Sequence, residues 1–171
     1  VGAPFGLKTE YEPGWVGRYR ALTSDVKLVD LTLSAAFKAT DGVSVGFGLV
    51  YERAEVTLSK AIDFGTAICA GSGNPANCFN TSYPFKPQQL DGAFEVSGDS
   101  ASLGYVVGAQ IAPNDKLAIG FSHRSEIKHD LKGTLDFQNV PALLANDPRF
   151  KDGDGGARLV TPAITTLSIS Y

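Results

Sequence analysis

At 171 residues, with 43% hydrophobic and 19% charged side chains and a net charge of −3, the chain has room for one domain and offers no basic face of the kind nucleic acid requires. Nineteen Gly and ten Phe beside no Met point to β structure with tight turns rather than to helix packing. No run of about 18 apolar residues is present, which excludes a spanning helix but not a spanning barrel, whose strands alternate and average to neutral hydropathy. The chain opens at Val1 with neither initiator methionine nor signal peptide, and is expected to start after processing or inside a longer chain.

Taken in order, Ala3 to Glu10 reads as a strand in which Gly6 can break pairing and Pro4 removes one ladder donor. A loop follows over about residues 13–24. Period-2 alternation then sets Val29, Leu31, Leu33, Ala35 and Phe37 against Asp30, Thr32, Ser34, Ala36 and Lys38. Thr40-Asp41-Gly42 reads as a hairpin turn into a strand with Val43, Val45, Phe47, Leu49 and Tyr51 on one face and Glu52 continuing the other. A long loop over about residues 61–98 carries Cys69 and Cys78, whose Gly-rich spacing is expected to double back into a local disulfide; that implies an oxidising compartment. The strand Ala101 to Ala112 and the turn Pro113-Asn114-Asp115 lead to Leu117. From there to about Phe137 the chain reads as one strand of roughly 20 residues, against a usual five or six. Its Leu117, Ile119 and Phe121 share one face; Arg124, Glu126 and Lys128 continue the small-residue face. A loop over about residues 138–156, with a short helix at Pro141 to Asn146, precedes a last strand from Ala163 to Tyr171.

Short turns on one side and long loops on the other is the arrangement of an outer-membrane barrel. The fold class expected is therefore all-β: an antiparallel up-and-down transmembrane β-barrel, bulky face to lipid and small face to a wet lumen. Phe37, Tyr51, Tyr105, Phe121 and Tyr171 are candidates for interfacial girdles. A soluble or surface β-sheet module for lipid binding or adhesion is the alternative. Two loops are greasy for surface segments. Phe64, Ile68, Phe79, Tyr83, Phe85, Leu90 and Phe94 in the first, with Val140, Leu143, Leu144 and Phe150 in the second, are read as a capture groove, the alternative being a compact loop core.

Enzyme readings fail on geometry. His123 and His129 lie about 20 Å apart along one strand, too far to share a metal or a proton. Gly42 to Gly46 spells G-x-S-x-G but leads from a turn into a strand, where a nucleophile elbow needs a helix. Asp152-Gly153-Asp154-Gly155-Gly156 lacks the rest of a calcium loop. Neither catalytic residues, a metal site nor a cofactor are expected.

The blocks PFGLKTEYEPGWVGRY (Pro4 to Tyr19), VSVGFGLVYERAEV (Val43 to Val56), HRSEIKHDLKG (His123 to Gly133) and the closing LVTPAITTLSISY resemble the FadL family of outer-membrane long-chain fatty acid transporters, which includes importers of toluene and related aromatics. The resemblance implies a barrel of 14 strands plugged by an N-terminal hatch, of which this chain matches the third to eighth strands as a single segment, without hatch or C-terminal strands. It implies a long-chain fatty acid or an aromatic or aliphatic hydrophobic ligand, a surround of outer-membrane lipid or detergent, and the remaining barrel strands as partners. It also implies lateral release at a strand kink, here Phe5, Gly6 and Leu7. Lys38, Glu52, Arg124, Glu126 and Lys128 are read as lumen charges that brace the interior; the functional alternative has Arg124 or Lys128 meeting a fatty-acid carboxylate.

Overall fold

The computed structural model describes residues 2–114 and 116–171; Asp115, the third residue of the expected Pro-Asn-Asp turn, lies outside them. Its strands are β1 (Gly2–Glu10), β2 (Thr23–Thr40), β3 (Val43–Asp63), β4 (Asp91–Asn114), β5 (Leu117–Arg124), β6 (Ile127–Gln138), β7 (Gly153–Thr161) and β8 (Ile164–Ser170), with a helix α1 (Phe64–Gly71) after β3. All pairings are antiparallel: β1 to β5 and then β8 follow one path, while β6 pairs with β4 and β7. Since β4 pairs with β5 at one end and β6 at the other, and β5 and β6 pair in turn with β8 and β7, the eight strands act as six staves.

The two hairpin ends follow from turn chemistry. Asn114 accepts from the backbone N–H of Lys116 and Leu117 through its side-chain oxygen at 3.0 and 3.1 Å, an Asx turn that starts β5. At Gly42 a Cβ would lie 2.8 Å from the carbonyl oxygen of Ala112, so only glycine lets the β2–β3 turn close against β4.

The stave read as a single strand is two. Between Asp99↔Lys132 and Val106↔Arg124, β4 spends six residues and its partner seven, so one extra residue sits at Ser125–Glu126. Ser125 closes this bulge toward β4: its N–H donates to Tyr105 O at 2.9 Å and its Oγ accepts from Tyr105 N at 3.0 Å. A bulge reverses the alternation beyond it, so Ile127, His129 and Leu131 turn to the face of Arg124 while Glu126 and Lys128 turn away. The neighbouring stave breaks at the same level, between Thr161 and Ile164, where Pro162 can donate no ladder bond.

One face is concave. Arg124 on β5 hydrogen-bonds Asp30 on β2, although the intervening strands would separate them by roughly 14 Å on a flat sheet. On the convex face Leu31, Leu33, Phe37, Phe47, Leu49, Leu103, Phe121, Leu167 and Ile169 are exposed. On β3 this apolar run is Val43 to Tyr51, roughly 30 Å of strand, which a tilt of about 40° reduces to roughly 23 Å, near the ~25 Å apolar band of a membrane barrel. Beyond Tyr51 the same face turns to ion pairs, Arg53 with Glu55 and Asp99, and Arg158 with Asp130. The staves thus continue past the apolar band as a charged collar carrying the long loops.

Candidate ligand-binding site on the concave wall

Inward-facing side chains of β3 occur in the order Glu52, Ala54, Val56, Leu58, Lys60, and their pairing partners place the rest of the wall in layers. The lowest of these layers is ionic. Glu52 stands directly opposite Asp30. Arg124 bridges them, Nη1 donating to Asp30 at 2.6 Å and Nη2 to Glu52 at 2.8 Å. The second oxygen of Glu52 takes the Thr161 hydroxyl at 2.8 Å and lies 2.9 Å from His129 Nε2. Groups from β5, β6 and β7 therefore meet on the fully buried carboxylate of Glu52 on β3. Two of the five N–H donors of the Arg124 guanidinium are thus taken by the two carboxylates.

Above it lies a hydrophobic layer of Leu28, Ala54 and Leu131 with Val56 and Leu159 against it. Higher still the wall opens into a cavity of about 290 Å³ lined by Val56, Leu58, Val96, Leu131, Leu135 and Ala157 among others. Gly98, Gly133 and Gly155 lie in register across β4, β6 and β7 and form its back. Without side chains there, the flanking Val and Leu side chains define the hollow. A second cavity, of about 240 Å³, shares Leu58 and Val96 with the first and is rimmed by Arg20 and Lys60.

The loops are built as a cap. Asp63 ends β3 and caps α1, accepting from Thr66 N at 2.8 Å, Thr66 Oγ1 at 2.6 Å and Gln88 N at 2.9 Å, so both limbs of the 64–90 loop hang on one carboxylate. A disulfide joins Cys69 to Cys78, with Cα atoms 5.1 Å apart. Phe64 packs edge-on to Phe150 at 5.2 Å, Phe150 meets Phe137 at 6.1 Å and Phe137 meets Phe94 at 4.9 Å, a chain of rings tying this loop to residues 139–152. Residues 11–22 fold onto the end of β3 through Leu22 N to Ser59 O and Ala61 N to Arg18 O. There Arg18 and Tyr19 both hold Asp91, each at 2.8 Å. Burial, then the Asp91 hydrogen bond, push the Tyr19 phenol up to about 12.

Across residues 1–171 the sequence matches the family described as outer membrane protein transport protein (OMPP1/FadL/TodX). The chain belongs to that family. A long-chain fatty acid transport protein of Salmonella typhi is 30% identical over 92% of this chain and 35% of its own length. Outer membrane protein P1 of Haemophilus influenzae is 23% identical over 89% of this chain and 33% of its own. Among solved structures, a Pseudomonas aeruginosa FadL homologue superposes with a TM-score of 0.78 at 25% identity, covering 98% of this chain and 39% of that one. A monoaromatic hydrocarbon channel, CymD, shares the fold with a TM-score of 0.56 at 21% identity, over 99% of this chain and 44% of that one. The chain spans about a third of the length of the curated relatives it matches. The OMPP1/FadL/TodX family is one of outer-membrane transport proteins rather than enzymes, and the half-barrel seen here is its fold.

Within this FadL-type wall the expected residues divide. Glu52 and Arg124 meet in the ionic layer. Glu126 and Lys128 do not face the lumen: the bulge turns them outward, where they pair with each other at 2.9 Å. Lys38 keeps the inner face but pairs with Asp41 at the hairpin, 3.1 Å away and about 27 Å along the strand from Asp30. Of the groove candidates, Phe64 and Ile68 are buried in the cap and offer no capture surface. Phe94 and Phe150 belong to the ring chain; Tyr83, Phe85, Leu90, Val140 and Leu144 are half-buried, and Phe79 and Leu143 project into solvent. Hydrogen-bonded turns, Leu144 N to Pro141 O and Asp147 N to Leu144 O, replace the short helix expected at Pro141 to Asn146. Gly6 is no break, because Phe5, Gly6 and Leu7 pair regularly with Leu28, Lys27 and Val26; the register shift lies between Gly2 and Phe5.

Sequence reasoning missed Asp30, His129, Thr161 and the cavity residues. Asp30 carried a signal, as a carboxylate on the same small-residue face as Glu52. His129 and Leu131 carried none, because their inward facing depends on the bulge.

Proposed function

We propose that the whole protein admits long-chain fatty acids or other hydrophobic small molecules through the outer membrane. The observation that carries this reading is the apolar cavity of Val56, Leu58, Val96, Leu131 and Leu135, set on a concave wall whose opposite face is itself apolar at membrane height. A soluble sheet would hide one of these two faces from solvent. Exposed Phe79 and Leu143 at the loop tips supply first contacts for an apolar ligand. The cavity then receives it from the loop end of the staves. Lateral release is assigned to the register shift between Gly2 and Phe5, where the β1 ladder is locally broken. Outer-membrane lipid solvates the convex face, and the remaining strands of the barrel cover the free edges of β1 and of β7 and β8.

Uptake of radiolabelled oleate and toluene by cells expressing the whole protein tests this. Val96→Asp places a charge in the cavity and is expected to cut uptake about tenfold or more, with heat-modifiable migration of the barrel unchanged. Undiminished uptake of both compounds by correctly assembled Val96→Asp protein sinks the reading.

A further inference from the structure

Of the three glycines at the back of the larger cavity, two are fixed by the backbone and one is not. At Gly133 a Cβ would collide with the Ser97 carbonyl, and at Gly98 it would lie 3.1 Å from the carbonyl oxygen of Lys132. At Gly155 the nearest atoms would all belong to one flexible side chain, Leu135, with Cδ2 at 2.8 Å and Cγ at 3.0 Å. Gly155 pairs regularly with Gly133 and its φ is not positive, so β7 does not demand glycine there. Glycine inside a strand weakens it, and an ordinary strand residue at 155 would serve the fold better. What the missing side chain does provide is space. Val56, Gly98, Gly133 and Gly155 stand at one level, with Val96 and Leu135 a step above and Leu131 and Ala157 a step below. The glycines reach across β4, β6 and β7, a breadth of roughly 10 Å. An apolar cavity of about 150 Å³ holds one benzene ring; this one, at about 290 Å³, has room for nearly two.

Resting on the transport reading above, we infer that Gly155 and Leu135 set the girth of the ligand this cavity accepts. The bare position at 155 leaves Leu135 in place and keeps the cavity open to a hydrocarbon broader than a single polymethylene chain, namely a fused two-ring aromatic. The side chains that face the cavity are Val, Leu and Ala, while Ser97 and Lys132 occupy outward positions of the register. With no polar side chain turned toward it, a ligand here is sorted by shape rather than by hydrogen bonding. A methyl at 155 takes volume twice over, by its own bulk and by displacing Leu135. A linear chain, being narrow, loses less from that narrowing than a fused ring system does. Leu135 is the counterpart on β6: trimming it returns the volume that a side chain at 155 removes.

The test compares uptake of radiolabelled naphthalene, phenanthrene and oleate by cells expressing the whole protein, each rate taken above that of cells lacking it. Heat-modifiable migration establishes that each variant has assembled. Gly155→Ala is expected to lower the ratio of naphthalene to oleate uptake about tenfold, the order that one methyl group commands in an apolar pocket. Gly155→Ala/Leu135→Ala is expected to restore that ratio. Leu135→Ala alone is expected to raise the ratio of phenanthrene, with its third ring, to oleate. An unchanged naphthalene ratio in assembled Gly155→Ala, or no recovery in the double variant, overturns the assignment. So does an unchanged phenanthrene ratio in Leu135→Ala, an arm that decides the matter even where Gly155→Ala does not assemble. If wild type takes up oleate but no naphthalene, the girth assignment fails while the transport reading stands; if it takes up neither, both fall.

Discussion

Glu52 shows how one side chain organises a wall. It is fully buried, and its hydrogen-bond partners come from three other strands, so its removal leaves Arg124 with a single carboxylate and takes away the partner of His129 Nε2. Breaking one partner out of a buried ion network costs about 3–5 kcal/mol. Glu52→Ala is therefore expected to lower barrel stability by that order, read as an earlier urea midpoint in lipid vesicles, whereas Lys38→Ala at the exposed hairpin should shift it by less than about 1 kcal/mol. Equal effects would mean that the layer does not brace the wall. In the loops, the Arg149 side chain and backbone N–H hold the Asp147 carboxyl at about 2. A carboxyl whose pKa is depressed on folding contributes stability above its unfolded pKa and loses it as pH falls toward the folded value. The turn at residues 147–150 is thus expected to keep its amide shifts from pH 7 to about pH 4 and lose them between about pH 4 and pH 2, measurable on the loop by NMR.

Among the elements, the strand pattern was legible and its interruption was not. The alternation of β2, β3 and β4, the tight hairpin at Asp41-Gly42 and the greasy long loops can each be read from residue types, because side chains directly specify faces and turns. The Ser125–Glu126 bulge leaves no such trace: both residues are as acceptable in a regular strand as in a bulge, and only the register against β4 reveals the extra one. From that single unread residue follow the misplaced Glu126 and Lys128 and the unnoticed His129. Inserting one alanine after Glu126 reverses the facing beyond the bulge, turning Lys128 inward and His129 out. Such a variant is expected to fail assembly, seen as loss of heat-modifiable migration; normal assembly would show that the facing set at the bulge does not fix the ionic layer. The disulfide belongs to the cap alone. Cys69→Ser/Cys78→Ser is expected to speed proteolysis within residues 64–90 while leaving the strands intact, since Asp63 and the Phe64–Phe150–Phe137 chain still tie the loop down.

At the level of the whole molecule, the same curled sheet is apolar outside at membrane height and apolar inside above it, with an ionic layer between the two heights. The strand alternation and the family resemblance in the sequence foretold the barrel fold, because alternation distinguishes two faces. They did not foretell the cavity, which arises from Gly98, Gly133 and Gly155 falling into one row only once three strands are in register. The measurement that tests this division most directly attaches a fluorophore to Leu135→Cys on the concave wall or Leu33→Cys on the convex face of the whole protein in liposomes. Saturable quenching at position 135 by dibromostearate, with quenching at position 33 by brominated phospholipid alone, is the predicted result. Quenching at position 135 by brominated phospholipid, with no response to dibromostearate, would contradict it.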